Sequence, residues 1–147
     1  MSGPQKPLEL ILARNLVTSI ATPAFLVGRD GTLLFYNEAA GALLGVPFEE
    51  MGRMEPGEWI GSFGPFDGDG NPIPVAELPL TVALRDGRPA HANFNIRSTK
   101  GEHHEIAASG VPIIGKEHGA SGAIVFFWPL DEDRARALAT GRHEVAR

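Results

Sequence analysis

Cysteine is absent from the 147 residues. Its absence excludes disulfides, thiolate zinc sites, iron–sulfur clusters and a cysteine nucleophile. Long hydrophobic runs are also absent: the longest uncharged apolar stretch near the end, residues 122–130, is far short of the ~20 residues that span a bilayer. Positive charge is in short supply, with 13 lysines and arginines against 18 aspartates and glutamates and a net charge of −5. A nucleic-acid surface needs clustered cations, so this balance argues against such a partner. No strand runs into a glycine-rich phosphate loop, and no HExxH zinc signature occurs. The first seven residues hold no signal-peptide core. The expectation is a cytoplasmic chain that engages neither membrane nor nucleic acid.

What is present suits one soluble domain: 43% hydrophobic and 21% charged residues, in a chain long enough for a substantial core. The plainest local signal is residues 25–45, FLVGRDGTLLFYNEAAGALLG. Residues 25–28 and 32–36 are short apolar runs, and Arg29-Asp30-Gly31 between them carries the Asp-Gly step of a tight hairpin. Asn37 follows and predicts an N-cap for a helix over residues 38–44, its side chain accepting a backbone N–H. Gly45, free to adopt the left-handed conformation, stops that helix.

Upstream, residues 8–20 read as a helix, with Leu8, Leu12, Leu16 and Ile20 at every fourth position and Ile11 beside them. Thr22-Pro23 closes it. Its apolar stripe either packs on its own domain or meets a second copy of the chain. Downstream, Pro47, Pro56 and Pro65 allow only short helical turns. Yet Phe48, Met51, Met54, Trp59, Ile60 and Phe63 must be buried somewhere. They fill the core over a sheet or roof a ligand cavity, plain core being the commoner fate of such groups. Residues 66–74, FDGDGNPIP, open with the Asp67, Asp69, Asn71 spacing of a calcium loop. Pro72 stands where that loop needs glycine and Leu78 where it needs a bidentate glutamate, so a turn is expected rather than a metal site. Residues 77–87 read as a helix with Pro79 in its first turn and Gly87 after its last, Leu80 and Leu84 sharing one face.

Three strands follow. Residues 92–97 alternate Ala92, Phe94 and Ile96 with Asn93, Asn95 and Arg97. Residues 103–113 place Ile106, Ala108 and Gly110 on one side. Residues 121–128 are the most apolar, which suggests cover on both faces. Asp131 is placed to cap a polar helix over residues 132–140. The expected division is a flexible lead (1–7), a folded domain with its N-terminal helix (8–130), and a polar helix and tail (131–147). The class is α+β: a hairpin, a helical crossover and a three-strand meander make a five-stranded antiparallel sheet with short helices on one face.

From residue 8 to about 136 the chain resembles the PAS domain family, in the manner of bacterial sensory modules. DGTLLFYNEAAGALLG is similar to that family's opening segment, with Asn37 at the common asparagine before the first core helix. The stretch DGDGNPIP…ELPLTVALRDG resembles a loop and pocket-bordering helix found in some bacterial members. WPLDEDRARAL resembles the family's exit motif, Asp131 matching while Glu132 and Asp133 replace its isoleucine and threonine. The resemblance implies strand order 2-1-5-4-3 and a sensory or dimerisation module without catalysis. It also implies homodimer contacts through the N-terminal helix and sheet, an output-domain partner protein, and a small molecule held between sheet and helices. That ligand would be an apolar small molecule, with haem or flavin as alternatives. The absent cysteine removes the thiol-dependent photosensors, and among the histidines only His91 is positioned to be considered as a haem ligand.

For such a pocket, the large side chains of elements expected to meet are Leu44, Trp59, Phe63, Leu84, Phe94, Ile96 and Phe126. Periodicity leaves undecided whether Phe126 or Phe127 faces inward. A small enzyme on a cone-shaped α+β fold is the reading from another class, and little favours it. Ser121 sits one residue short of a nucleophile elbow and at a hairpin. The pairs Asp67/Asp69 and Glu102/Glu105 fall on loops or edges facing solvent.

Overall fold

The structure is a computed structural model that describes residues 8–115 and 119–130. The first expectation it meets is the hairpin. Strands β1 (Ala24–Gly28) and β2 (Leu33–Tyr36) pair antiparallel, Phe25 opposite Tyr36 and Leu26 opposite Phe35. The Asp30 carboxylate accepts the Thr32 N–H at 3.0 Å and closes the turn, with Gly31 left-handed at φ 86°. Helices α2 (Glu38–Leu44), α3 (Phe48–Met51) and α4 (Pro56–Phe63) follow. In α4 the Glu58 carboxylate accepts the Glu55 N–H at 2.8 Å, and Pro56 occupies a first-turn position whose N–H would have no helical partner. A 3-10 turn, Val75–Glu77, precedes α5 (Pro79–Asp86). Strands β3 (Ala90–Arg97), β4 (His103–Ile114) and β5 (Ala120–Pro129) complete the chain. The sheet order is β2-β1-β5-β4-β3, each neighbour antiparallel.

Both faces of the sheet are covered, as the unbroken apolar run of β5 predicts. On the inner face Val125 and Phe127 join Leu44, Trp59, Phe63 and Leu80 beneath α2, α4 and α5. On the outer face Ile124 and Phe126 pack with Leu26, Leu34 and Phe35 under α1 (Leu8–Thr18). Gly110 on β4 lets α5 sit close: a Cβ there would lie 2.7 Å from the Pro79 carbonyl oxygen.

Helix α1 packs by the side the leucine spacing does not mark. Leu10, Ala13 and Val17 face the sheet, whereas Leu8, Ile11, Leu12 and Leu16 stay exposed. Apolar side chains stand on more than one side of the helix, and the smaller Ala13 and Val17 permit closer approach than a row of leucines. Ile20 lies beyond the helix end, partly buried against the outer core. Three further contacts seat α1. Ser121 donates to the Glu9 carboxylate, the Arg14 guanidinium lies 4.3 Å over the Phe35 ring, and Asn37 reaches the helix end.

Neither outer strand leaves its whole edge open. Leu33 exchanges backbone hydrogen bonds with Met54 (2.8 and 3.2 Å), and Asn95 does so with Phe66 (2.9 and 2.8 Å). Among the described residues no helix is long and apolar enough to cross a membrane. The expected lead, Asp131 cap and helix over 132–140 lie outside the described residues, as do His118 and His143.

Candidate functional site

Between the sheet and α4 and α5 lies a cavity of about 50 Å³ whose wall is apolar throughout. Five residues of the expected pocket meet there: Leu44 from α2, Trp59 and Phe63 from α4, Phe94 and Ile96 from β3. The Trp59 Nε1–H donates to the Gly31 carbonyl at 3.0 Å, so the hairpin turn fixes the indole and turns its hydrocarbon face to the cavity.

Two expected residues are elsewhere. Phe126 lies on the outer face, packed with the α1 core, because inward positions on β5 are the odd ones, Val125 and Phe127. Leu84 is turned toward the hairpin side of α5, because Leu80 and Ala83 occupy the face that meets the sheet. Phe127, the alternative that periodicity leaves open, lines the cavity, and so does Phe25, which the sequence reading does not include; their rings meet at 4.9 Å between centroids. Cross-strand register was the missing signal: Phe25 pairs with Val125, which sets both strands facing inward together.

The volume limits the occupant. A water in liquid takes ~30 Å³, and it would find no polar partner here. Pockets for drug-sized ligands run ~300–1,000 Å³. The void as shaped has room for no more than one small molecule. The residues present do not fit haem: His91 is exposed on β3 and hydrogen-bonded to Ser109. Nor does the volume fit the fused rings of a flavin.

Several of the remaining candidates make hydrogen bonds within the fold. Asp67 Oδ1 accepts the N–H groups of Asp69 and Asn71, both at 2.9 Å, which makes the loop an Asx-type turn. No cluster of metal-ligating side chains occurs among the described residues. Asn95 donates to the Asp67 carbonyl and Arg97 to that of Gly61, tying the α4–α5 connection and α4 itself to the β3 edge. His103 and His104 are neighbours on β4, the first exposed and the second half-buried. Tyr36 donates to the Val46 carbonyl at 2.7 Å. Burial, reinforced by Glu49 and Glu50, pushes its phenol up to about 12.

Among the described residues, the Asn37 side chain has five hydrogen bonds. Its Oδ1 accepts from Ala24 N (3.1 Å) and Ala40 N (3.0 Å). Its Nδ2 donates to the carbonyls of Val17 (3.0 Å) and Thr22 (2.8 Å), with Ile20 at 3.4 Å. One buried side chain therefore joins the end of α1, the start of β1 and the start of α2, the helix that supplies Leu44 to the cavity.

No protein-family model and no curated protein sequence matches the chain. Solved structures do. The Rhodobacter sphaeroides LOV protein aligns with TM-score 0.66 at 16% identity, over 92% of this chain and 76% of that one. The PAS domain of the fruit-fly ELK potassium channel aligns with TM-score 0.63 at 9% identity, over 82% and 96%. The PAS domain of Bordetella pertussis BvgS aligns with TM-score 0.56 at 14% identity, over 90% and 96%. Strand order, antiparallel pairing and helical cover on the inner face coincide with this likeness: the chain has the fold of a PAS domain.

Proposed function

We propose that this chain is a cytoplasmic sensory module that holds a small apolar molecule beneath α4 and α5 and pairs with a second copy through α1. It transmits occupancy to an output partner and performs no catalysis of its own. The observation that carries the reading is the cavity: a hollow between sheet and helices whose wall offers hydrocarbon and neither acid, base nor nucleophile. Such a wall selects by size and shape, because a charged or hydrogen-bonding ligand would lose its hydration without replacement. Pairing is supported by Leu8, Ile11, Leu12 and Leu16, which put four large apolar side chains in solvent on one helix. Two similar structures are described as PAS domains, one from a two-component sensor histidine kinase and one of nitrogen regulation protein NR(II), which agrees with an output partner here.

Xenon, a neutral sphere small enough for the void, tests the cavity. Under xenon pressure the methyl resonances of Leu44, Leu78 and Ile96 shift in the wild type, and Ala108→Val, which fills the space, abolishes the shifts. Unchanged wild-type spectra would overturn the reading.

A further inference from the structure

On the far side of Trp59 and Leu80, which wall both spaces, a groove of about 310 Å³ opens between the β1–β2 turn, α4 and α5. Pro56, Trp59, Leu80 and Leu84 give it an apolar lining. Trp59 has already committed its one polar atom to Gly31, so it presents only its ring. Two guanidinium groups stand in the same groove, Arg29 from the hairpin turn and Arg85 from α5.

Among the described residues their charges are incompletely matched. Arg29 donates Nε to the Ala120 carbonyl at 3.2 Å and has no carboxylate within ion-pair distance among the described residues. Arg85 faces Asp86 at 3.1 Å, but Asp86 also faces Arg88 at 3.6 Å, so two cations share one carboxylate. Asp30 also lines the groove, and its Oδ1 accepts the Thr32 N–H. Guanidinium groups bind carboxylates through paired, charge-assisted hydrogen bonds. Beside an apolar floor they suit a molecule with an anionic head and a hydrocarbon body. The volume lies at the lower end of the range for small-molecule sites.

We propose that this groove binds a small carboxylate with an apolar tail, its head held by Arg29 and Arg85 and its tail laid on Trp59, Leu80 and Leu84. The site stands outside the inner cavity and does not depend on that cavity being filled.

Octanoate and octanol, which share a tail and differ in the head, test it. Trp128→Phe leaves Trp59 as the sole tryptophan reporter, since the chain has 2 tryptophans. Octanoate is expected to change Trp59 fluorescence saturably and to bind about tenfold more tightly than octanol. Arg29→Gln and Arg85→Gln each weaken octanoate several-fold and leave octanol unchanged. Ala108→Val leaves octanoate binding intact, which separates this site from the xenon-sized cavity. Equal affinity for the two probes, indifference to both arginine variants, or no saturable change would overturn the proposal. So would a response lost in Leu12→Lys/Leu16→Lys, because it would place octanoate on α1.

Discussion

The side-chain amide of Asn37 donates to the carbonyl of Val17 at 3.0 Å, across twenty residues of sequence. Val17 is fully buried on α1 and Asn37 is 2% exposed at the head of α2. The contact joins the helix on the outer face to the helix that lines the cavity. Asn37→Ala leaves two N–H groups and up to three carbonyls to find other partners, so a loss of about 3 kcal/mol is expected in urea denaturation. Asn37→Asp, which keeps the acceptor oxygen but points a second one at carbonyls, should be at least as unstable at neutral pH. A loss under about 1 kcal/mol in both would mean that water replaces the network.

Leu12 and Leu16 are 57% and 55% exposed, so the fold of one copy does not need them. Leu12→Lys/Leu16→Lys should convert a dimer to a monomer in light scattering while leaving the melting temperature of the monomer near that of the wild type. A mass unchanged by the substitutions would remove α1 from any interface.

Phe127 is 1% exposed and meets Phe25 over the inner sheet face. Phe127→Ala should cost ~3–5 kcal/mol. Phe94 is only half-buried, so Phe94→Ala should cost less than Phe127→Ala while enlarging the cavity. Chemical denaturation of the two variants orders them, and equal losses would contradict the assignment of Phe127 to the core and Phe94 to the cavity wall.

Gly110→Ala places a methyl against the backbone of Pro79, which cannot turn aside as a side chain can. Displacement of α5 and a loss of ~1–3 kcal/mol are expected. Hydrogen exchange would show faster exchange in α5 relative to β5, and an unaltered pattern would count against the close seat of that helix.

Tyr36 is the chain's single tyrosine, so its phenolate absorbance reports one site. Its folded value, about 12, lies above the ordinary value of 10.0. Below pH ~10 both states keep the proton and the stability linked to this group is fully present. As pH rises from 10 toward 12 the unfolded chain deprotonates first, and stability is lost. Tyr36→Phe should flatten that decline. A phenolate midpoint near 10 in the folded protein would show that the ring is not shielded.

Local chemistry explains which features were legible in the sequence. Asp30-Gly31 and the Asn37 cap on Ala40 act through backbone bonds to residues nearby, so the hairpin, the helix and its cap could be read directly. Alternation placed Phe94 and Ile96 inward because β3 has a wet face. It failed on β5, where both faces are covered and Phe126 and Phe127 are equally apolar; only pairing with β1 distinguishes them. Leu84 misled because spacing groups it with Leu80, whereas Ala83 is the residue that joins Leu80 on the face that meets the sheet. The leucine row of α1 misled for a related reason: a helix with apolar side chains on more than one side does not announce which side its own domain uses.

The short backbone pairings at Leu33 with Met54 and at Asn95 with Phe66 have a consequence for how copies of this molecule meet. A ribbon whose flanks are partly occupied by its own connecting segments is a poor template for another ribbon. Growth into open-ended fibrils is thereby discouraged. Encounters are left to side chains, which can be chosen, tuned and undone.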